Sequence, residues 1–174
     1  MTATSIVWFR RDLRVEDNPA LSAAAERGPV LPVYIHAPHE EEPWSAGAAS
    51  RAWLHHSLTR HADRLRALGA PLSVFTGDSL KVLTRLIGES GAGALFYNRL
   101  YEPEIVARDK KIDAALKAQG VEVRSFKSAL IFEPQEIENR SGKPFRVFTP
   151  FYRHCAARLP EAIGGRAPSS LAPP

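Results

Sequence analysis

Cysteine is nearly absent. Cys155 is the only one in 174 residues, which excludes an internal disulfide and any cysteine-cluster metal site. Long apolar runs are missing as well. Nothing approaches the roughly 20 residues that a membrane-spanning helix requires. The Ile6-Val7-Trp8-Phe9 run is too short for a signal sequence and is followed at once by charge. These absences lead to the expectation of a cytoplasmic chain with no membrane partner.

Several chemical signatures are lacking too. No G-x-G-x-x-G follows the first strand-like run and no G-x-x-x-x-G-K-[ST] occurs anywhere, so the familiar dinucleotide and phosphate loops are not expected. H-E-x-x-H and G-x-S-x-G are absent. His55 and His56 are neighbours on a predicted helix and point about 100° apart, a poor metal clamp, and no metal site is expected. Charge of one sign is scarce over most of the chain. Residues 1–123 hold 15 Lys+Arg and 15 Asp+Glu, whereas residues 124–174 hold 8 and 4 and supply the whole net +4. A basic tail can steer toward phosphate, but a solvated arginine-rich surface explains it equally, and composition alone does not indicate nucleic acid.

What is present is a regular alternation. Ser5-Ile6-Val7-Trp8-Phe9, Val30-Leu31-Pro32-Val33-Tyr34-Ile35, Leu72-Ser73-Val74-Phe75, Ala94-Leu95-Phe96-Tyr97 and Val121–Phe126 read as five strands. Continuous apolar runs suit strands buried on both faces of a parallel sheet. Pro32 removes a ladder donor and fits best near a strand start or on an edge. Four helices fill the gaps. The first has Asn18 as cap and Pro19 in its first turn, and it stops at Gly28. The second runs from about Ala48 to Leu68, with Leu54, Leu58, His61, Leu65 and Leu68 at spacings of 4, 3, 4 and 3, a stripe for one buried face. The third follows Asp78 and buries Leu80, Leu83 and Ile87. The fourth runs from Pro103 to Gly120 and carries Ile105, Ile112 and Leu116 inward. Trp8 and Trp53 read as core residues.

The fold class is therefore α/β, a five-stranded doubly wound parallel sheet (Rossmann-like) with helices on both faces. Ligands of such sheets sit at the carboxyl ends of the strands. That rim comprises residues 10–18, 36–47, 76–78 and 98–103. Residues 1–130 read as the α/β domain and 131–160 as its extension. Residues 161–174, rich in Gly, Pro and Ser, read as a linker toward an absent domain.

The first rim loop packs Arg10, Arg11 and Arg14 together with Asp12, Glu16 and Asp17. It is either a structural ion-pair network or an anion-facing surface. The run Trp8-Phe9-Arg10-Arg11-Asp12-Leu13-Arg14-Val15-Glu16-Asp17-Asn18-Pro19-Ala20-Leu21 closely resembles the opening signature of the photolyase/cryptochrome family. Further matches follow in the family's order. They are Val30–Ile35, Ala49–Leu58, Gly77-Asp78, Tyr97–Pro103, Phe132-Glu133-Pro134 and Pro144–Arg153. The resemblance covers roughly residues 5–160.

The resemblance implies the N-terminal, antenna-binding domain of a bacterial deoxyribodipyrimidine photolyase. FAD, the tryptophans that reduce it and the damaged DNA would belong to a C-terminal helical domain outside this chain. The chain itself would then carry no catalytic residue and be inactive alone. The antenna would be a folate (methenyltetrahydrofolate) or, less favoured, a deazaflavin. Matching positions for it are Arg10, Arg11, Ile35, His36, Arg51, Tyr101 and Glu102. Glu102 is the foremost, because a carboxylate can accept two hydrogen bonds from a pterin's amino-pyrimidine edge; as a helix N-terminal acid it also has a purely structural reading. Leu100 stands where deazaflavin-binding relatives carry an aspartate, which favours folate. The alternatives are the same domain of a cryptochrome blue-light receptor, and a free-standing small-molecule-binding module.

Overall fold

The computed structural model describes residues 3–139, 141–162 and 167–174. Five strands, β1 (Ser5–Phe9), β2 (Val30–His36), β3 (Ser73–Thr76), β4 (Ala94–Asn98) and β5 (Glu122–Phe126), form one parallel sheet in the order β3-β2-β1-β4-β5. Helices α1 (Pro19–Arg27), α2 (Ala48–Ala67), α3 (Ser79–Ser90) and α4 (Pro103–Ala118) make the crossovers, and α5 (Phe148–Ala162) follows the sheet. The doubly wound architecture read from the alternation is what the chain adopts.

Alternate residues of β1 serve opposite faces, as the pleat requires. Ile6 and Trp8 pack with Val82, Leu83 and Leu86 of α3 and Ile112 and Leu116 of α4. Val7 and Phe9 pack with Ala20, Leu21 and Ala24 of α1 and Leu65 of α2. All five residues of β1 are buried, which is why the strand reads as a continuous apolar run.

Three local expectations shift. Pro32 lies inside β2, which has neighbours on both sides. Its missing donor is accommodated because β3 pairs only from Val33 onward, so Pro32 sits beyond that ladder. The inward stripe of α3 is Val82, Leu83 and Leu86, with Leu80 and Ile87 only partly buried. In α2, only His61 and Leu65 are buried, and Trp53, expected in the core, is 75% exposed. The reason is length. A helix of 20 residues extends about 30 Å, while a strand of 5 residues extends about 17 Å. The first half of α2 therefore overhangs the carboxyl rim of the sheet.

The Gly/Pro/Ser segment read as a linker packs back on the domain in its described part; residues 163–166 lie outside the described residues. Leu171 is buried against the α1/α2 side of the core. Its amide donates to Leu68 O at 2.7 Å, and Val30 N donates to Ala172 O at 2.8 Å. Gly69 makes the approach possible: its φ is +104°, and a Cβ there would stand 2.7 Å from Leu171 O.

Two outcomes are expected. Leu171→Ala should lower the unfolding free energy by about 2 to 4 kcal/mol in urea denaturation, because it opens a cavity between α2 and β2. His61 is buried against Phe9, with ring centroids 4.4 Å apart, and neither ring nitrogen has a partner. Burial pushes its pKa down to about 4, against a smaller raising effect from Asp12. The unfolded chain binds this proton near pH 6.5 and the folded chain only near pH 4. Stability should therefore decline as pH falls from about 6.5 to about 4. A His61→Leu variant should show a flatter profile across that window in pH-dependent thermal melts.

Candidate functional site

The strand order reverses between β1 and β4, and the carboxyl ends of the strands beside that reversal carry the site. Arg10 follows β1 directly and its side chain is 6% exposed. One terminal nitrogen pairs with Asp109 of α4 at 2.5 Å, and the other donates to the carbonyl of Asn98 at the end of β4. Asp109 also accepts from Arg108 at 2.8 Å. The guanidinium carbons of Arg10 and Arg108 stand 4.8 and 5.0 Å from the Trp8 ring centroid, within cation–π range.

Most of the rest of the first rim loop is structural. Asp12 accepts from Arg10 N at 2.9 Å and from Asn98 Nδ2 at 2.5 Å. Asn98 also donates to Asn18 Oδ1 at 2.8 Å, while Asn18 caps α1 through Leu21 N. Arg14 donates to Asp17 O and Ser128 Oγ. Of the three arginines, only Arg11 has a half-exposed side chain turned to the acids of the rim, Glu41 at 3.8 Å and Glu102.

Above this floor is a cleft of about 430 Å3, within the usual range for small-molecule sites. Trp8, Arg10, Ser79 and Arg108 contribute to its floor. Tyr34, Ile35 and His36 come from β2, Glu41 and Ala46 from the loop that follows, and Arg51, Trp53 and Leu54 from the overhanging part of α2. Burial pushes the Tyr34 hydroxyl pKa up, Glu41 adds to the rise, and Arg11 opposes it. Arg51 donates to Ala46 O at 2.7 Å and has no acidic partner among the described residues.

Of the seven positions expected at the site, Arg10, Arg11, Ile35, His36 and Arg51 line the cleft, as does Leu100. Tyr101 and Glu102 do not. The Tyr101 hydroxyl donates to Glu133 at 2.9 Å, where Arg99 also binds at 2.6 Å. Burial and that hydrogen bond push the tyrosine up to about 12. Glu102 stands at the start of α4 and pairs with Arg11. Burial alone would raise its pKa, but its own amide, the Tyr101 amide and Arg11 hold it below the usual carboxylate range. Arg108 and Asp109 were not expected at the site. Their signal was a pair of charges on an apolar stripe: Arg108, Ile112 and Leu116 share a spacing of 4, and Ile105 and Asp109 do too.

Arg10→Met should leave Asp109 and Glu40 to share Arg108, one uncompensated negative charge in the interior, and lower the unfolding free energy by about 3 to 5 kcal/mol. The double variant Arg10→Met/Asp109→Asn should lose less than the sum of the two single changes, measured by urea denaturation in a double-mutant cycle.

Comparison with known proteins gives the family. A family profile described as DNA photolyase matches residues 5–169. Cryptochrome-1 of Arabidopsis thaliana is 45% identical over 152 residues, 87% of this chain and 22% of that protein. The crystal structure of a bacterial class III photolyase from Agrobacterium tumefaciens superposes with a TM-score of 0.86 at 40% identity, covering 100% of this chain and 36% of that one. An archaeal photolyase from Sulfolobus tokodaii, described as holding two FAD molecules and as implying a novel light-harvesting cofactor, has a TM-score of 0.77 at 30% identity over 98% of this chain and 37% of that one. The chain thus spans about a third or less of the length of these relatives. With the parallel sheet, the rim cleft and these matches together, the chain belongs to the DNA photolyase family of photolyases and cryptochromes and corresponds to its N-terminal α/β domain.

Proposed function

We propose that this chain is the light-harvesting part of a DNA photolyase and that its rim cleft holds a planar antenna pigment, a methenyltetrahydrofolate or, second, a deazaflavin. The observation that carries the reading is the cleft itself, which joins an exposed indole (Trp53), a tyrosine (Tyr34) and an arginine without an acidic partner among the described residues (Arg51) at the carboxyl rim. An aromatic wall stacks a flat ring, and a free guanidinium takes an acidic tail. A bound pigment would absorb light and pass the excitation to FAD held by the remainder of the protein. This chain's residues only bind and orient, and none is assigned a catalytic role.

The partner implied is the C-terminal helical domain, through which damaged DNA would also be met. The helix α5 and the turn before it offer that domain a face, since Val147, Phe148 and Tyr152 are 62%, 72% and 58% exposed. Side chains of this size left in water are unusual without a covering surface.

A cryptochrome reading is kept because of the 45% identity to Arabidopsis cryptochrome-1. Blue-light assay of the flavin-loaded full protein on DNA carrying pyrimidine dimers separates the two. Dimer splitting supports repair, and intact dimers favour the photoreceptor. For the antenna, titration of the protein with 5,10-methenyltetrahydrofolate should produce a bound absorbance band. Trp53→Ala should weaken that binding by about tenfold, the value of one aromatic stack. Binding of neither folate nor deazaflavin would overturn the antenna assignment.

A further inference from the structure

Two guanidinium groups and two carboxylates form a connected set beneath the cleft. Arg10 pairs with Asp109 at 2.5 Å, and Arg108 pairs with Asp109 at 2.8 Å and with Glu40 at 3.2 Å. None of the four side chains is more than 19% exposed, and their formal charges cancel. Arg10 and Arg108 line the cleft, whereas Asp109 and Glu40 hold them from behind.

Glu40 is the least expected member. It belongs to a run of three acids, Glu40-Glu41-Glu42, on the short 3-10 turn Pro38–Glu41 after β2. Yet its side chain is 12% exposed and both oxygens are engaged. Oε1 accepts Ser79 N at 2.6 Å, and Oε2 accepts Ser79 Oγ at 2.7 Å and Arg108 Nη1 at 3.2 Å. His39 and Asp78 reach the same corner, with one atom of each residue within 4.8 Å of the others. Three elements, the turn, the start of α3 and the middle of α4, therefore meet on one carboxylate. Without its charge, Arg10 and Arg108 would share Asp109 alone, and the floor would hold two cations and one anion.

We propose that Glu40 is a positioning and specificity-setting residue of the cleft: it fixes Arg108 and Ser79 in the floor and cancels the floor's net charge, so that an uncharged aromatic ring is received there in preference to an anionic one. This rests on the cleft being the pigment site. The other charged or titratable groups of the cleft are Arg11, paired with Glu41 and Glu102, then Tyr34, His36 and Arg51, and a substitution at Glu40 leaves them in place.

The probe is 8-hydroxy-5-deazariboflavin, whose ring hydroxyl is acidic and whose two protonation states absorb differently. Its titration is followed while bound to the purified protein. In Glu40→Gln the uncompensated Arg108 should lower the bound probe's pKa by about one unit. Glu40→Asp should titrate as wild type, and so should Glu40→Gln/Arg108→Gln, whose floor is neutral again. A fold-stabilising role alone would not move this titration. An unchanged value in Glu40→Gln overturns the proposal. If that variant does not fold, the double variant decides: a wild-type titration supports the proposal and a shifted one overturns it. A probe that binds no form of the protein, wild type included, overturns the proposal, whereas the ligand-site reading itself falls only if 5,10-methenyltetrahydrofolate also fails to bind.

Discussion

The Arg10 guanidinium is the interaction on which the rest depends. It sits where β1 ends, donates to the last carbonyl of β4 and pairs with Asp109 on α4. An isolated charge at that depth would cost several kcal/mol, so the site is tolerable only when strand, neighbouring strand and crossover helix are all in place. The same group stands 4.8 Å from the Trp8 ring centroid and 4.6 Å from that of Tyr97. Its correct placement thus fixes two buried aromatic rings as well. A doubly wound sheet parts its loops at the reversal of strand order; here that gap is closed below by an ion pair and left open above as a cleft.

Charge is distributed unequally between floor and mouth. In the floor every cation has a carboxylate, because water is excluded and an unpaired charge could not persist. At the mouth the pairs are looser. Arg11 is half exposed and shared between Glu41 and Glu102, and Arg51 holds only a backbone carbonyl. Solvent screens those groups when the cleft is empty, so their charge remains usable for a ligand. The floor therefore supplies shape, and the mouth supplies attraction.

How much of this was legible in the sequence depends on the kind of signal. The central strands were legible because burial on both faces writes a continuous apolar run, as in Ser5–Phe9 and Ala94–Asn98. The caps Asn18 and Asp78 were legible because their chemistry is local, and both accept the backbone bond expected of them. Trp53 was misplaced because an apolar stripe does not record where the underlying sheet stops. The packing of the chain's end was not legible for a related reason. Composition marks residues 161–174 as a linker, and the groove that receives Leu171 is built by Leu65, Leu68 and Ala70 far away in sequence. Of the positions that the motif resemblance supplied, Arg10, Arg11, Ile35, His36 and Arg51 line the cleft, while Tyr101 and Glu102 pair with Glu133 and Arg11. Arg108 was marked only by its place on the apolar stripe of Ile112 and Leu116, and Glu40, one of three consecutive acids, carried no local mark that separates a buried ion pair from a solvated one.

The division between floor and mouth also bears on how one fold can present different clefts. The floor residues belong to the end of β1, the start of α3 and the inner face of α4, and each is tied to the core by burial or by a paired charge. Changing them alters stability together with binding. The walls come from the loop after β2 and from the part of α2 that overhangs the sheet. There Trp44 and Trp53 are 84% and 75% exposed, and the helix buries only His61 and Leu65, farther along its length. Substitution in that overhang removes little apolar area from the core, so its effect on folding is small, while its effect on what stacks in the cleft is direct. The cleft can therefore vary through its walls without disturbing the floor that holds the sheet together.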